Sequence, residues 1–196
     1  MRSSGLDKSN GYEAIASKFI PGRKHSDVGS AVVAEWSRLL PAGGSVLDIG
    51  CGSGVPSSET LIARGFKVYG LDASATMVAA FQERFPSVPV ECSSVEDATF
   101  LNRSYDGVVS WGLFFLLDAD AQRSLVAKIA KALPVGGQLL FTSPWQICSW
   151  ADAMTGQKSI SLGRDGYRQA LESESLVLVD ERTDEGENHY FFAAKK

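Results

Sequence analysis

Val46-Leu47-Asp48-Ile49-Gly50-Cys51-Gly52-Ser53-Gly54-Val55-Pro56 changes character twice over a short span. Its first part, extended back to Ser45, is apolar enough to be a short buried strand. Glycines then occupy alternate positions, at Gly50, Gly52 and Gly54. Pro56 and Glu59 follow, a proline suited to a first helical turn and an acid suited to the positive end of a helix. The stretch therefore predicts a strand, a tight loop and a helix. In an open parallel sheet such a loop lies at the carboxyl end of a strand, where ligands bind. Glycine there permits positive φ and lets backbone approach a ligand closely.

Downstream the same alternation repeats. Gly65 closes the first helix, and Lys67 to Asp72 reads as a second strand. Ser74 can cap a helix that buries Met77, Val78, Phe81 and Phe85. Val88 to Ser93 and Tyr105 to Trp111 read as further strands. Asp120 opens a helix with Val126, Ile129, Ala130 and Leu133 at helical spacing, and Gln138 to Ser143 is a fifth strand. Strands alternating with helices of this length require a mostly parallel sheet. Leu176 to Asp184 and His189 to Ala194 are separated only by Glu185-Gly186-Glu187-Asn188, so they form an antiparallel hairpin.

Upstream, Ser26 to Leu40 places Val28, Val32, Val33, Trp36, Leu39 and Leu40 on one helical stripe. Tyr12 to Ile20 is a weaker helix that Pro21-Gly22 ends, and Arg23-Lys24-His25 reads as a basic linker. Residues 1–196 are expected to form one domain. A helical cap spans 1–44, the ligand-binding core 45–143, a substrate lid 144–165, and a terminal helix and hairpin 166–196.

The 196 residues are 44% hydrophobic and 21% charged, the balance of an ordinary globular protein. Net charge is −4 and the basic residues are scattered, so nothing attracts a nucleic-acid backbone at long range. Cys51, Cys92 and Cys148 are odd in number and far apart, which suits a reducing compartment and offers no metal-ligand spacing. No apolar run approaches the ~18 residues of a membrane span and no signal peptide is evident, so a cytoplasmic location is expected. Monomer and homodimer both remain open.

The glycine loop excludes one familiar ligand class. A dinucleotide fingerprint needs G-x-G-x-x-G, but the third position holds Val55 counting from Gly50 and Ser57 counting from Gly52. Val46 to Gly54 instead resembles the first motif of the class I S-adenosylmethionine-dependent methyltransferases. The resemblance runs from about Ser45 to Phe141 and extends to the terminal hairpin. It implies an α/β, Rossmann-like three-layer sandwich with a seven-stranded, mostly parallel sheet and an antiparallel C-terminal hairpin. It also implies S-adenosylmethionine as cofactor and S-adenosylhomocysteine as product.

Carried residue by residue, the resemblance assigns the cofactor's amino-acid part to Asp48, Gly50, Cys51, Gly52 and Gly54. Asp72, with Ala73 beside it, takes the ribose, whose vicinal hydroxyls suit a carboxylate. The adenine falls to Ser94 and Val95, with Glu96 or Asp97 either contributing instead or simply solvated. Met77 packs either on the ribose side or in the core. Tyr12 closes the site and Trp111 passes beneath the methionine end.

Methyl transfer from a sulfonium is an in-line displacement that depends mainly on orientation, an effect worth roughly 7–11 kcal/mol. A base is required only if the acceptor loses a proton. No catalytic residue follows from the sequence; His25 and His189 are the candidates, each more often structural or solvated. Pro144 to Arg164 has no sustained period and reads as a functional loop. With Phe115 and Trp111, its Trp145 and Trp150 suggest an aromatic acceptor pocket, and Gln146, Ser149 and Asp152 polar contacts. The leading reading is methyl transfer to a small molecule. A non-catalytic cofactor-binding sensor or accessory subunit is the alternative.

Overall fold

The computed structural model describes residues 8–23 and 26–196. Helix α1 (Tyr12–Arg23) and helix α2 (Ser30–Trp36) precede strand β1 (Ser45–Ile49). Then come α3 (Ser57–Ala63), β2 (Lys67–Asp72), α4 (Ala75–Arg84), β3 (Val90–Cys92), β4 (Gly107–Ser110), α5 (Ala119–Ala132) and β5 (Gln138–Thr142). The chain ends with β6 (Ile147–Ala151), β7 (Lys158–Leu162), α6 (Gly163–Ser173), β8 (Leu176–Thr183) and β9 (His189–Lys195).

Seven strands form one sheet in the order β3-β2-β1-β4-β5-β9-β8, with β9 antiparallel to both β5 and β8. The order reverses beside β1, so the glycine loop lies at the switch point where the helices on either side diverge. Alternate residues of each strand face opposite layers. Leu47, Leu139, Phe141 and Phe191 meet the layer of α5 and α6. Val46, Leu140, Tyr190 and Phe192 meet the layer carrying Trp36 of α2 and Leu61 of α3. The strands are thus buried on both faces, which is why they read as nearly continuous apolar runs.

Four local expectations change. α1 runs through Pro21-Gly22 to Arg23, whose guanidinium lies over the Trp111 ring and holds the last turn in place. The second helix begins only at Ser30, because Gly29 adopts a left-handed conformation. Its end tightens into a 3-10 turn, Ser37–Leu39. That turn has three residues per revolution, so Leu39 rotates off the buried stripe (53% exposed) while Leu40 stays on it.

The cap of α5 is Asp118, whose side chain accepts from the Asp120 and Ala121 amides, so Asp120 lies inside the helix. Asp118→Ala is expected to cost about 1 kcal/mol of stability and Asp120→Ala much less, as read from urea unfolding midpoints. Finally, the segment read as a loop holds a two-stranded sheet, β6 paired with β7. β6 alternates between exposed and half-buried residues and the buried positions of β7 are serines, Ser159 and Ser161, so neither strand supplies a clean apolar signal.

Candidate functional site

The glycine loop is held by its own backbone and by one side chain. The Gly50 and Cys51 amides donate to the Leu71 carbonyl at 2.8 and 3.0 Å, and the Gly54 amide to the Cys51 carbonyl. The Gly52 amide donates to Asp72 Oδ2 at 2.8 Å. Gly52 has φ +52° and nothing within 4 Å of the place where a Cβ would sit, so its open side is free for a ligand. Gly54 has a different role: a Cβ there would lie 2.4 Å from the Phe85 ring. It lets the loop pack on α4 and does not line the cavity.

That cavity, of about 500 Å³, opens across the carboxyl ends of β1, β2 and β4. Asp48, Gly50, Cys51, Gly52, Asp72, Ala73, Met77 and Val95 line one part of it, and Tyr12, Trp111 and Phe115 another. Asp48 is 2% exposed and accepts from Ser58 Oγ at 2.7 Å, which ties β1 to α3. Burial pushes its carboxyl up to about 7, with the Ser58 bond opposing and the Asp72 charge adding to the rise. Asp72 accepts from the Ser74 amide through its other oxygen at 2.8 Å, and burial raises its carboxyl too. Ser74 caps α4 by accepting from the Met77 amide.

At the expected adenine end, Ser93 and Val95 line the cavity, but Ser94 and Glu96 do not. Ser94 turns its hydroxyl to Asp97 at 3.1 Å. Glu96 is exposed, with its backbone carbonyl accepting from Lys128. A bond within its own loop redirects Ser94, and Glu96 faces solvent.

Helix α1 covers the cavity and is tied on both sides. Glu13 accepts from Ser74 Oγ at 2.5 Å and from Thr76 Oγ1 at 2.7 Å, joining α1 to α4. The Tyr12 phenol lies near Asp152; burial, and then that carboxylate, push it up to about 12. Asp152 is held in turn by the Met154 and Thr155 amides. Glu13 and Arg23 carried no local sequence signal, because each meets a partner distant in the chain.

Trp111 donates its indole N–H to the Tyr190 hydroxyl at 2.6 Å, and Tyr190 donates to Asp184 Oδ2 at 2.7 Å. The Phe115 ring meets Trp150 at 5.5 Å between centroids. Trp150 itself lies behind Phe115 and Trp145 is 56% exposed, so neither lines the cavity. His189 is also outside it, packed edge-on against Phe191 with Nε2 3.5 Å from Glu181, and burial lowers its affinity for a proton. His25 lies outside the described residues. Among the described residues no helix is long and apolar enough to cross a membrane.

Among the described residues, three polar atoms of the lining, Asn10 Nδ2, Arg23 Nη2 and Ser57 Oγ, are buried without a hydrogen-bond partner. Buried polar groups are normally paired, so the cavity is built for a polar ligand.

Comparison with known proteins agrees with this geometry. The methyltransferase domain family matches residues 46–137. An O-methyltransferase of Aspergillus sclerotiorum is 26% identical over 104 residues, a match covering 50% of this chain but only 39% of that protein. Among solved structures, an S-adenosylmethionine-bound amino pentose methyltransferase from Micromonospora echinaspora superposes with a TM-score of 0.74 at 19% identity, covering 93% of this chain and 97% of that one. A sugar N-methyltransferase from a Streptoalloteichus species gives 0.73 at 20% identity, with 92% of each chain covered. A methyltransferase domain thus matches the core from β1 to the turn before β5, and the fold of the S-adenosylmethionine-dependent methyltransferases extends over nearly the whole chain.

Proposed function

We propose that this protein binds S-adenosylmethionine along β1, β2 and β4 and transfers its methyl group to a small molecule. The observation that carries the reading is the joint at Asp72. One carboxylate at the end of β2 both fastens Gly52 and faces the cavity, so the glycine loop and the ribose site are set by the same group. The open side of Gly52 and the unpaired polar atoms of the lining fit a ligand of this polarity.

When bound, the cofactor supplies an electrophilic methyl on a positively charged sulfur. The chain's own residues align and shield it. Asp72 orients the ribose, and Leu71, Met77 and Val95 wall the adenine side. Trp111 and Phe115 bound the acceptor side, while α1, latched through Tyr12 and Glu13, excludes water. Alignment of donor and acceptor in such an enclosed site is the main source of rate. The reading also places the protein in the cytoplasm, where its three cysteines stay reduced.

Calorimetry with S-adenosylmethionine, S-adenosylhomocysteine and NADPH tests the donor. Both adenosyl compounds are expected to bind and NADPH is not; binding of NADPH alone would sink the reading. Incubation of labelled cofactor with a metabolite extract tests transfer, and tight binding without any labelled product would favour the non-catalytic alternative.

A further inference from the structure

The adenine side of the cavity is walled by apolar groups, with Leu71, Met77 and Val95 lining it beside Ser93. The loop after β3 gives a bound base little to bond with. Ser94 turns its hydroxyl to Asp97, Glu96 faces solvent, and no residue from Ser93 to Asp97 carries a side-chain N–H. The ring nitrogens of an adenine are acceptors, so they need a donor from elsewhere.

The segment ahead of α1 supplies one. Lys8 pairs with Asp97 in the loop that follows β3. Glu13 accepts from Ser74 Oγ and Thr76 Oγ1 at the start of α4, just beyond Asp72 and the end of β2. Residues 8–13 therefore form a strap between the loops after β3 and β2. The β6–β7 hairpin backs this strap, for a Cβ on Gly11 would lie 3.2 Å from that of Thr155.

Asn10 lies within the strap and lines the cavity. Its backbone is left-handed, with φ +53°, a conformation that asparagine adopts more readily than most residues. Its Nδ2 is buried and has no hydrogen-bond partner. An amide nitrogen only donates, so an acceptor atom of the ligand must complete it, and leaving it unpaired is costly. The ribose hydroxyls already have the Asp72 carboxylate to accept from them. We infer that Asn10 Nδ2 donates to a ring nitrogen of the cofactor's adenine, so that the strap, and not the loop after β3, reads the base. This inference rests on the methyltransferase reading above. Lys8 and Glu13 are positioning residues, since they pin the strap at its two ends.

The test is calorimetry of wild type, Asn10→Gly and Asn10→Asp with S-adenosylhomocysteine and its 1-deaza, 3-deaza and 7-deaza analogues, each with one ring nitrogen replaced by C–H. Glycine keeps the left-handed turn and removes the amide. Asn10→Gly is expected to weaken S-adenosylhomocysteine by about tenfold, and one analogue to lose about the same factor on wild type. That analogue should lose nothing further on Asn10→Gly, while the other two lose as much as S-adenosylhomocysteine does. Asn10→Asp should weaken binding more than Asn10→Gly, because it sets a carboxylate against a lone pair. Aspartate also tolerates the left-handed turn, so it serves if the Gly variant fails to fold. A change below twofold in Asn10→Gly overturns the proposal, as does a loss that couples to none of the three nitrogens. Coupling to the 2′-deoxy analogue overturns it too, because Asn10 would then serve the ribose. Failure of wild type to bind S-adenosylhomocysteine would instead overturn the methyltransferase reading.

Discussion

Asp72→Ala is expected to weaken S-adenosylhomocysteine binding by about 100-fold or more while moving the thermal midpoint of the ligand-free protein little. Two hydrogen bonds donated by ribose hydroxyls to a charged carboxylate contribute on the order of 1.5–3 kcal/mol each. Losing them, together with the anchor of the Gly52 amide at 2.8 Å, reaches the ~2.7 kcal/mol that corresponds to 100-fold. Stability responds less because two effects oppose. The substitution frees the Gly52 and Ser74 amides, but it also removes a carboxylate whose ionisation burial already disfavours. Asp72→Asn should fall between, since its amide can accept at one oxygen only. Calorimetry beside a melting curve checks both parts. A loss below tenfold at unchanged stability would remove Asp72 from the ribose role.

A second large effect is expected from pH. Asp48 has its carboxyl raised to about 7 in the folded protein, well above the ordinary carboxylate range. The native state therefore holds this proton more tightly than the unfolded chain does. Between about pH 4 and 7 unfolding releases the proton, so stability falls as pH rises and the full penalty is present above 7. A rise of this size corresponds to at most about 4 kcal/mol. Asp48→Asn keeps an acceptor for the Ser58 hydroxyl but cannot ionise, so it should flatten most of the slope. Asp72, shifted in the same direction, leaves a residual slope. Urea unfolding of the ligand-free protein at pH 5 and pH 8 is the measurement. A wild-type midpoint that does not fall over that range would show Asp48 to titrate normally.

Much of the donor half was legible because its signals are local. Three glycines behind Asp48 announce a loop that must turn sharply, and a carboxylate at the end of the next strand announces its partner. Both lie on β1 and β2, which pair in parallel register from Ser45↔Lys67 to Ile49↔Leu71. Where the lining differs from the expected one at this end, local contacts are the reason. Ser94 has the right position for an adenine contact, but Asp97 three residues on takes its hydroxyl. Gly54 belongs to the glycine pattern, but its reason is the ring of Phe85.

The lid-like segment failed to read for a different reason. A strand announces itself when one face is buried, and β6 pairs only with β7, leaving Ile147, Ser149 and Ala151 exposed on one side. The terminal hairpin was plain by comparison, since Tyr190, Phe191, Phe192 and Ala193 are buried against both layers of the core.

By itself, then, the sequence determined the alternating architecture, the glycine loop after β1 and the acid at the end of β2. Apolar periodicity and turn chemistry act over a few residues, and these features need nothing longer. The side of the cavity that carries Trp111 was decided only by tertiary structure. Arg23 read as part of a basic linker, Trp111 as one pocket residue among several, and Asp184 as the end of a strand. Packing of β9 against β5 brings Tyr190 and Asp184 to Trp111, and the last turn of α1 lays Arg23 over the indole. Contacts between the start and the end of a chain follow from how the sheet is ordered, and no local pattern at Arg23 encodes them.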